Sequence, residues 1–227
     1  MGRIKLCSVI LESRDVLEGF NDVELGEEYP VGFNLDEFKN LWSYAKKLRY
    51  AEEHLGKPLG RGSSRVVYRV DNDKVLKLAK NKKGLAQNEA EIDWANDSYF
   101  DNILAHIFDY DTEKHLWVEM ELELRTKKSD FKRLWDVDLD DLDTYLRNFY
   151  DRNNGRRASF HQDEEVKDKL DNNEEVMNLV DFMMNSDSQP GDLTKSNSWG
   201  LVKREGHETL ALIDFGLTSS VYDNYYS

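Results

Sequence analysis

Two β-prone runs face one another across a short acidic turn: "RVVYRV" at 65–70 and "KVLKLAK" at 74–80, with Asp71-Asn72-Asp73 between them. Branched apolar residues on either side of an Asx-rich break predict a β-hairpin with strands over 66–70 and 74–79. On the second strand Val75, Lys77 and Ala79 share one face, and Leu76 and Leu78 share the other. A lysine embedded in a strand that is apolar on both faces is desolvated, and so calls for an anionic partner. The candidates are phosphate oxygens and a glutamate from the helix expected over 85–97, "LAQNEAEIDWAND". Glu89 and Glu91 both fit within that turn; Ile92 and Ala95 place Glu91 beside the packed face and favour it. A lysine stem that merely crosses an edge strand is the plain alternative.

The 227 residues are enough for one large domain or two small lobes. Charged residues reach 33%, but eleven tyrosines, ten phenylalanines and five tryptophans argue for a packed chain. A net charge of −14 repels nucleic-acid backbones and anionic lipid, so neither nucleic acid nor membrane is expected as a partner. One cysteine, Cys7, offers no internal disulfide and fits a reducing cytoplasm. The opening "MGRIKLCSVILESRD" is too short in apolar residues to span a bilayer and lacks a small-residue cleavage site, so a cytoplasmic protein is expected. The five histidines show no metal-ligand spacing.

Along the chain, residues 1–57 read as an N-terminal extension carrying one helix over 34–55. Asn34 and Glu37 form a capping-box pattern, Phe38, Leu41, Trp42, Ala45, Leu48 and Leu55 recur at helical spacing, and Gly56 and Pro58 stop the helix. Two more strands are expected within 102–111 and 114–124, about a turn at 111–113. After Leu124 the pattern becomes helical: 139–150 carries Leu139, Leu142, Leu146 and Phe149 in phase, and 174–185 carries Val176, Leu179, Val180 and Met183. The polar stretch 151–173 reads as an exposed loop or weak helix. Short strands near 200–202 and 209–213, joined by "KREGHE", complete the pattern. The expected fold class is α+β, with a β-rich unit over 58–124 and a helical one over 125–227.

Three further stretches carry chemistry. In "LGRGSSR", Gly60 and Gly62 precede a strand, where a missing Cβ lets backbone amides approach phosphate oxygens; an ordinary glycine turn is the alternative. In "QPGDLTKSNSWG", Asp192 and Asn197 stand five apart in a loop between helix and strand. There a carboxylate can orient an attacking hydroxyl while an amide oxygen ligates a hard cation, although an Asx turn would serve the loop equally well. In "LALIDFG", Asp214 ends an apolar strand, where a carboxylate is costly unless paired or metal-bound; magnesium shared by Asp214, Asn197 and nucleotide phosphates resolves that cost.

Taken in order, the paired glycines, strand lysine, helix glutamate, Asp-Leu-x-x-x-Asn and Asp-Phe-Gly resemble the protein kinase-like fold from about residue 58 to 216. The resemblance implies two lobes, β-rich then helical, and a site for ATP and Mg²⁺. Gly60, Gly62 and Val67 would cover the nucleotide, Val75 would touch the adenine, and Lys77 would reach the phosphates with Glu91 holding it. Met120 would precede the hinge, with Glu121, Leu122 and Glu123 offering backbone groups. Asp192 would be the catalytic base, and Asn197 and Asp214 the metal ligands. Arg65 replaces the third glycine, either stiffening the loop or adding a phosphate contact. Pro190-Gly191 replaces the usual His-Arg, similar to the loops of antibiotic and choline kinases. Few residues follow Gly216, so the helical lobe looks reduced, similar to small kinase-like proteins that bacteriophages encode and that act in the host cytoplasm. The implied activity is ATP- and Mg²⁺-dependent phosphoryl transfer to protein serine or threonine. The alternatives are a catalytically silent kinase fold that binds a protein partner, and AMP transfer on the same scaffold.

Overall fold

The computed structural model describes residues 29–30, 32–204 and 206–225. Cys7 and all but the end of the N-terminal stretch before the first helix lie outside them. The chain divides into two compact units, Met1–Ile92 with His106–Arg125, and Asp93–Ala105 with Thr126–Ser227. The fold class is α+β, as expected, with a β-rich first unit and a mainly helical second unit.

In the first unit, β1 (Gly60–Arg61), β2 (Arg65–Arg69), β3 (Lys74–Ala79), β4 (Ile107–Tyr110) and β5 (Trp117–Glu121) form an antiparallel sheet of order β1-β2-β3-β5-β4. A further two-residue strand, β6, covers Leu124–Arg125. The expected hairpin is present. Val67 pairs with Lys77 and Arg65 with Ala79, so Arg65, Val67, Val75, Lys77 and Ala79 lie on one face. The opposite face carries Val66, Tyr68, Val70, Leu76, Leu78 and Trp117, all buried against Phe33, Leu35, Phe38 and Ala51. Burial of each large apolar side chain there is worth ~1.5–3 kcal/mol, which is what attaches the N-terminal helices to the sheet.

The single helix expected over 34–55 is two: α1 (Leu35–Asn40) and α2 (Tyr44–His54). Leu41 turns extended, and the Ser43 side chain accepts from the Lys46 N–H to start the second helix. The break moves Trp42 and Ala45 out of phase; Trp42 is exposed, and Lys47 is buried in their stead. Lys47 makes that tolerable by donating to the Phe38 and Lys39 carbonyls at 2.6 and 2.9 Å, covering acceptors that the end of α1 leaves open. Asn34 caps α1 as its sequence predicts, accepting from the Glu37 N–H.

Helix α3 (Lys82–Ala95) follows the hairpin and starts earlier than its apolar spacing suggests. The second unit holds α4 (Lys128–Leu134), α5 (Leu139–Asn153), α6 (Glu164–Asp171), α7 (Glu174–Ser186), α8 (Pro190–Leu193), the hairpin β7 (Trp199–Arg204) and β8 (His207–Leu212), and α9 (Ser219–Tyr225). The in-phase residues of α7, Val176, Leu179, Val180 and Met183, are all buried. Trp199 anchors the hairpin: its ring meets Phe131 and Trp135 edge-on at 5.5 and 5.1 Å, and its indole N–H donates to the Leu193 carbonyl at 2.6 Å. The segment 103–105 runs beside β8, with the Leu212 N–H donating to the Ile103 carbonyl and the Ala105 N–H to the Leu212 carbonyl. Among the described residues no helix is long and apolar enough to cross a membrane.

Candidate functional site

Lys77 leaves β3 toward α3, and its ammonium sits 3.0 Å from Glu91 Oε2 and 3.2 Å from Oε1. Glu91 is fully buried and Lys77 nearly so. Glu89, the other candidate, points elsewhere, 3.9 Å from the His115 ring and more than half exposed. Burial alone would push the Glu91 carboxyl up, but the Arg65 and Lys77 charges against it outweigh that and hold it below the usual carboxylate range. Arg65 is the unexpected member. It is buried, its Nη1 2.7 Å from Glu91 Oε2. No periodicity signalled that pairing, because strand and helix are joined only through the tertiary fold.

The predicted nucleotide-facing residues have mixed placements. Val67, Val75 and Met120 are buried, and Val75 lies opposite Met120 across β3 and β5. Leu122 is half-buried, and its N–H donates to the Asp73 carbonyl while that of Glu121 donates to His106. Both amides are therefore used within the unit. The glycine turn is tight: the Gly62 N–H donates to the Arg65 carbonyl at 2.9 Å, and the Lys80 ammonium and Asn81 amide hold the Gly62 and Ser63 carbonyls. Neither Gly60 nor Gly62 has a positive φ.

In the second unit the β7–β8 hairpin does for Asn197 and Asp214 what sequence spacing could not. Its register runs Trp199 to Leu212 and continues outward through a 2.8 Å bond from the Ile213 N–H to the Ser198 carbonyl. Asn197, in the turn Ser196–Ser198, and Asp214 are the next residues out on each side, so the backbone carries both to one end of the hairpin. Both are half-buried. Phe215 beside them is buried against Phe182, rings 6.3 Å apart and nearly perpendicular, which fixes the backbone that carries Asp214. No cluster of three or more His, Cys, Asp or Glu able to hold a metal occurs among the described residues. A carboxylate and an amide oxygen fit magnesium that takes its remaining ligands from phosphate and water, and do not fit a self-sufficient protein cage.

Asp192 lies on α8, a single turn opened by Pro190, and its carboxylate accepts from the Lys195 ammonium. The loop is framed from α5. Asp143 accepts from the Thr194 hydroxyl at 2.5 Å and from Arg147 Nε at 2.7 Å. Burial would raise the Asp143 carboxyl, yet the bonds from Arg147 and Thr194 hold it below the ordinary range. The Arg147 guanidinium lies beside Gly191, where a Cβ would stand 2.9 Å from Nη2, the far end of a flexible side chain that is able to shift. Lys195 and Arg147 were not singled out from the sequence. The three-residue interval between Asp192 and Lys195 on a short turn, and the i,i+4 pair Asp143–Arg147, were the available signals.

No protein-family model matches the chain, and no curated protein sequence matches it. Among solved structures, APH(2″)-IIa in its ternary complex with streptomycin and ATP is similar over 78% of this chain and 71% of that one, at 13% identity and a TM-score of 0.35.

Proposed function

We propose that the chain is an ATP- and Mg²⁺-dependent phosphotransferase acting on hydroxyl groups, with protein serine and threonine as the acceptor class. The observation that carries the proposal is the buried Lys77–Glu91 pair at 3.0 Å, on a sheet face lined by Val67, Val75 and Met120. A lysine held this way from a strand is a fixed cation for the α- and β-phosphates. Asn197 and Asp214 would hold magnesium, which when bound neutralises charge on the phosphate oxygens. Asp192 would accept a hydrogen bond from the acceptor hydroxyl and align it, with the Lys195 ammonium orienting that carboxylate. Thr194 and Asp143 hold the loop that presents it. Phosphoryl transfer depends on such positioning and charge placement, so loss of one group costs orders of magnitude in rate.

The deciding experiment incubates the protein with Mg²⁺ and γ-labelled ATP in a bacterial lysate, beside Asp192→Ala. Label on protein in the wild type alone is the expected result. Label confined to small molecules would move the acceptor class away from protein. Absence of label from both samples, with ATP still bound, would favour the silent partner-binding fold.

A further inference from the structure

The turn between β1 and β2 is tied to the start of α3 at three successive carbonyls. The Lys80 ammonium donates to the Gly62 carbonyl at 2.7 Å, the Asn81 side-chain amide to that of Ser63 at 2.9 Å, and the Lys80 N–H to that of Ser64 at 2.7 Å. The buried Ser64 hydroxyl adds a 2.6 Å bond to Gln87 Oε1, on the helix itself. Asn81 serves both elements: its Oδ1 accepts from the Gly84 N–H at 3.2 Å and caps α3, while its Nδ2 holds the turn. Gly84 is what lets the two meet. A Cβ there would fall 2.3 Å from the Ser64 carbonyl oxygen and 3.0 Å from the Ala79 Cα, backbone atoms that cannot swing aside as a side chain can.

We propose that the glycine turn is seated on α3 before nucleotide arrives, with Asn81 and Gly84 as the positioning residues. It is then a fixed roof over the phosphates and not a flap that closes on them. The inference rests on the phosphotransferase reading above and adds to it how the nucleotide is met. Glycine-bearing backbone loses more conformational freedom on ordering than any other, so a loose turn would subtract that loss from binding. Here bonds within the chain order the turn in advance. A roof that is competent only part of the time lowers apparent affinity by that fraction, so unseating it weakens ATP. Adenosine is spared, because on this reading the turn meets phosphates and not the nucleoside. Glu91 lies further along the same helix, so the turn and the partner of Lys77 are fastened to one element.

The test uses the full chain and two measurements. One is amide hydrogen exchange at Gly62 and Lys80, whose N–H groups donate to the Arg65 and Ser64 carbonyls. The other is calorimetric binding of adenosine and of ATP with Mg²⁺. In the wild type without nucleotide both amides are expected to exchange about a hundredfold slower than an unstructured chain, or slower still. Gly84→Ala improves helix propensity yet drives a methyl into the turn. It is expected to leave both amides nearly unprotected and to weaken ATP about threefold or more, with adenosine within about twofold. Asn81→Ser keeps a capping hydroxyl that is too short to hold Ser63 as well, and is expected to speed the amides about fivefold, the ratio for one hydrogen bond. Wild-type amides that exchange freely and slow only when ATP binds would make the turn a flap and overturn the inference. So would Gly84→Ala with wild-type exchange and ATP affinity, or with ATP and adenosine weakened alike, the mark of a general distortion. If Gly84→Ala does not fold, Asn81→Ser decides: exchange as slow as in wild type overturns the seating. A wild type that binds no ATP although both amides are protected removes the phosphotransferase reading and the roof with it, which sets that failure apart from a failure of the seating.

Discussion

The Lys77 cluster and the Asp192 loop carry charge in opposite ways. In the first, an acid and two bases are sealed in the interior, with Glu91 fully buried and neither cation more than 8% exposed. In the second, Asp192 and Lys195 form their pair at 22 and 40% exposure. A buried ion pair that loses one member leaves a charge without compensation, whereas an exposed pair that loses one member is rescued by water. In the first unit the proposed phosphate-binding residues are therefore also the ones that burial makes costly to change. In the second the proposed base, Asp192, is partly solvated, and the rigidity comes from Trp199, Thr194 and Asp143 behind it. The contrast yields a ranked set of stability predictions.

The largest effect belongs to Glu91→Gln, which removes the one carboxylate that two buried cations share. It is expected to cost about 3–5 kcal/mol in urea unfolding, the usual range for breaking a buried pair. A loss below about 1 kcal/mol would mean that the cluster is open to water, and the comparison would collapse. Next comes Trp199→Phe, which keeps an aromatic ring but removes the donor to the Leu193 carbonyl. It is expected to cost about 1–3 kcal/mol and to reduce transfer through the loop carrying Asp192, since Leu193 is its neighbour. A variant as stable and as active as wild type would show that the indole bond does not hold the loop. Lys77→Met should be milder than Glu91→Gln, at about 1 kcal/mol or less, because Arg65 still compensates Glu91 after the lysine has gone. Equal costs for the two variants would show that Arg65 does not share the carboxylate.

How much of this was legible in the sequence follows the range of the interactions concerned. The β2–β3 hairpin, the faces of α5 and α7 and the cap at Asn34 depend on residues close in sequence, and the structure has them where periodicity puts them. Lys77 and Glu91 were readable as a pair because one turn of helix limits the choice of glutamate. The break between α1 and α2 was not legible: Leu41, Trp42 and Ala45 keep helical spacing, and only the Ser43 cap and the Lys47 ammonium favour two helices over one. Short α4 and α8 carry too few residues to show a period, and the polar stretch 151–173, which reads as an exposed loop or weak helix, holds α6 at Glu164–Asp171. Arg65 was visible as a departure from a glycine pattern, but its partner lies on another element. Asn197 and Asp214 were each noticed for chemistry, while their juxtaposition follows from the β7–β8 register and could not be read from the spacing between them.

The smallest predicted effect lies on the acid side and separates the frame of the Asp192 loop from the loop itself. The Asp143 carboxyl is held below its ordinary range in the folded chain by Arg147 and Thr194, against the opposing effect of burial. A carboxylate whose folded pKa is depressed adds stability above its unfolded pKa, near 3.9, and loses it as pH falls through the lower folded value. Between about pH 5 and pH 3 the wild type should therefore lose more stability than Asp143→Asn, which has no proton to take up there. The difference is expected to stay below about 1 kcal/mol because Arg147 is partly solvated and solvent screens the pair. Urea midpoints across that window measure it. Parallel acid slopes in the two proteins would mean that Asp143 is as well solvated folded as unfolded, and the loop would then owe its position to Trp199 alone.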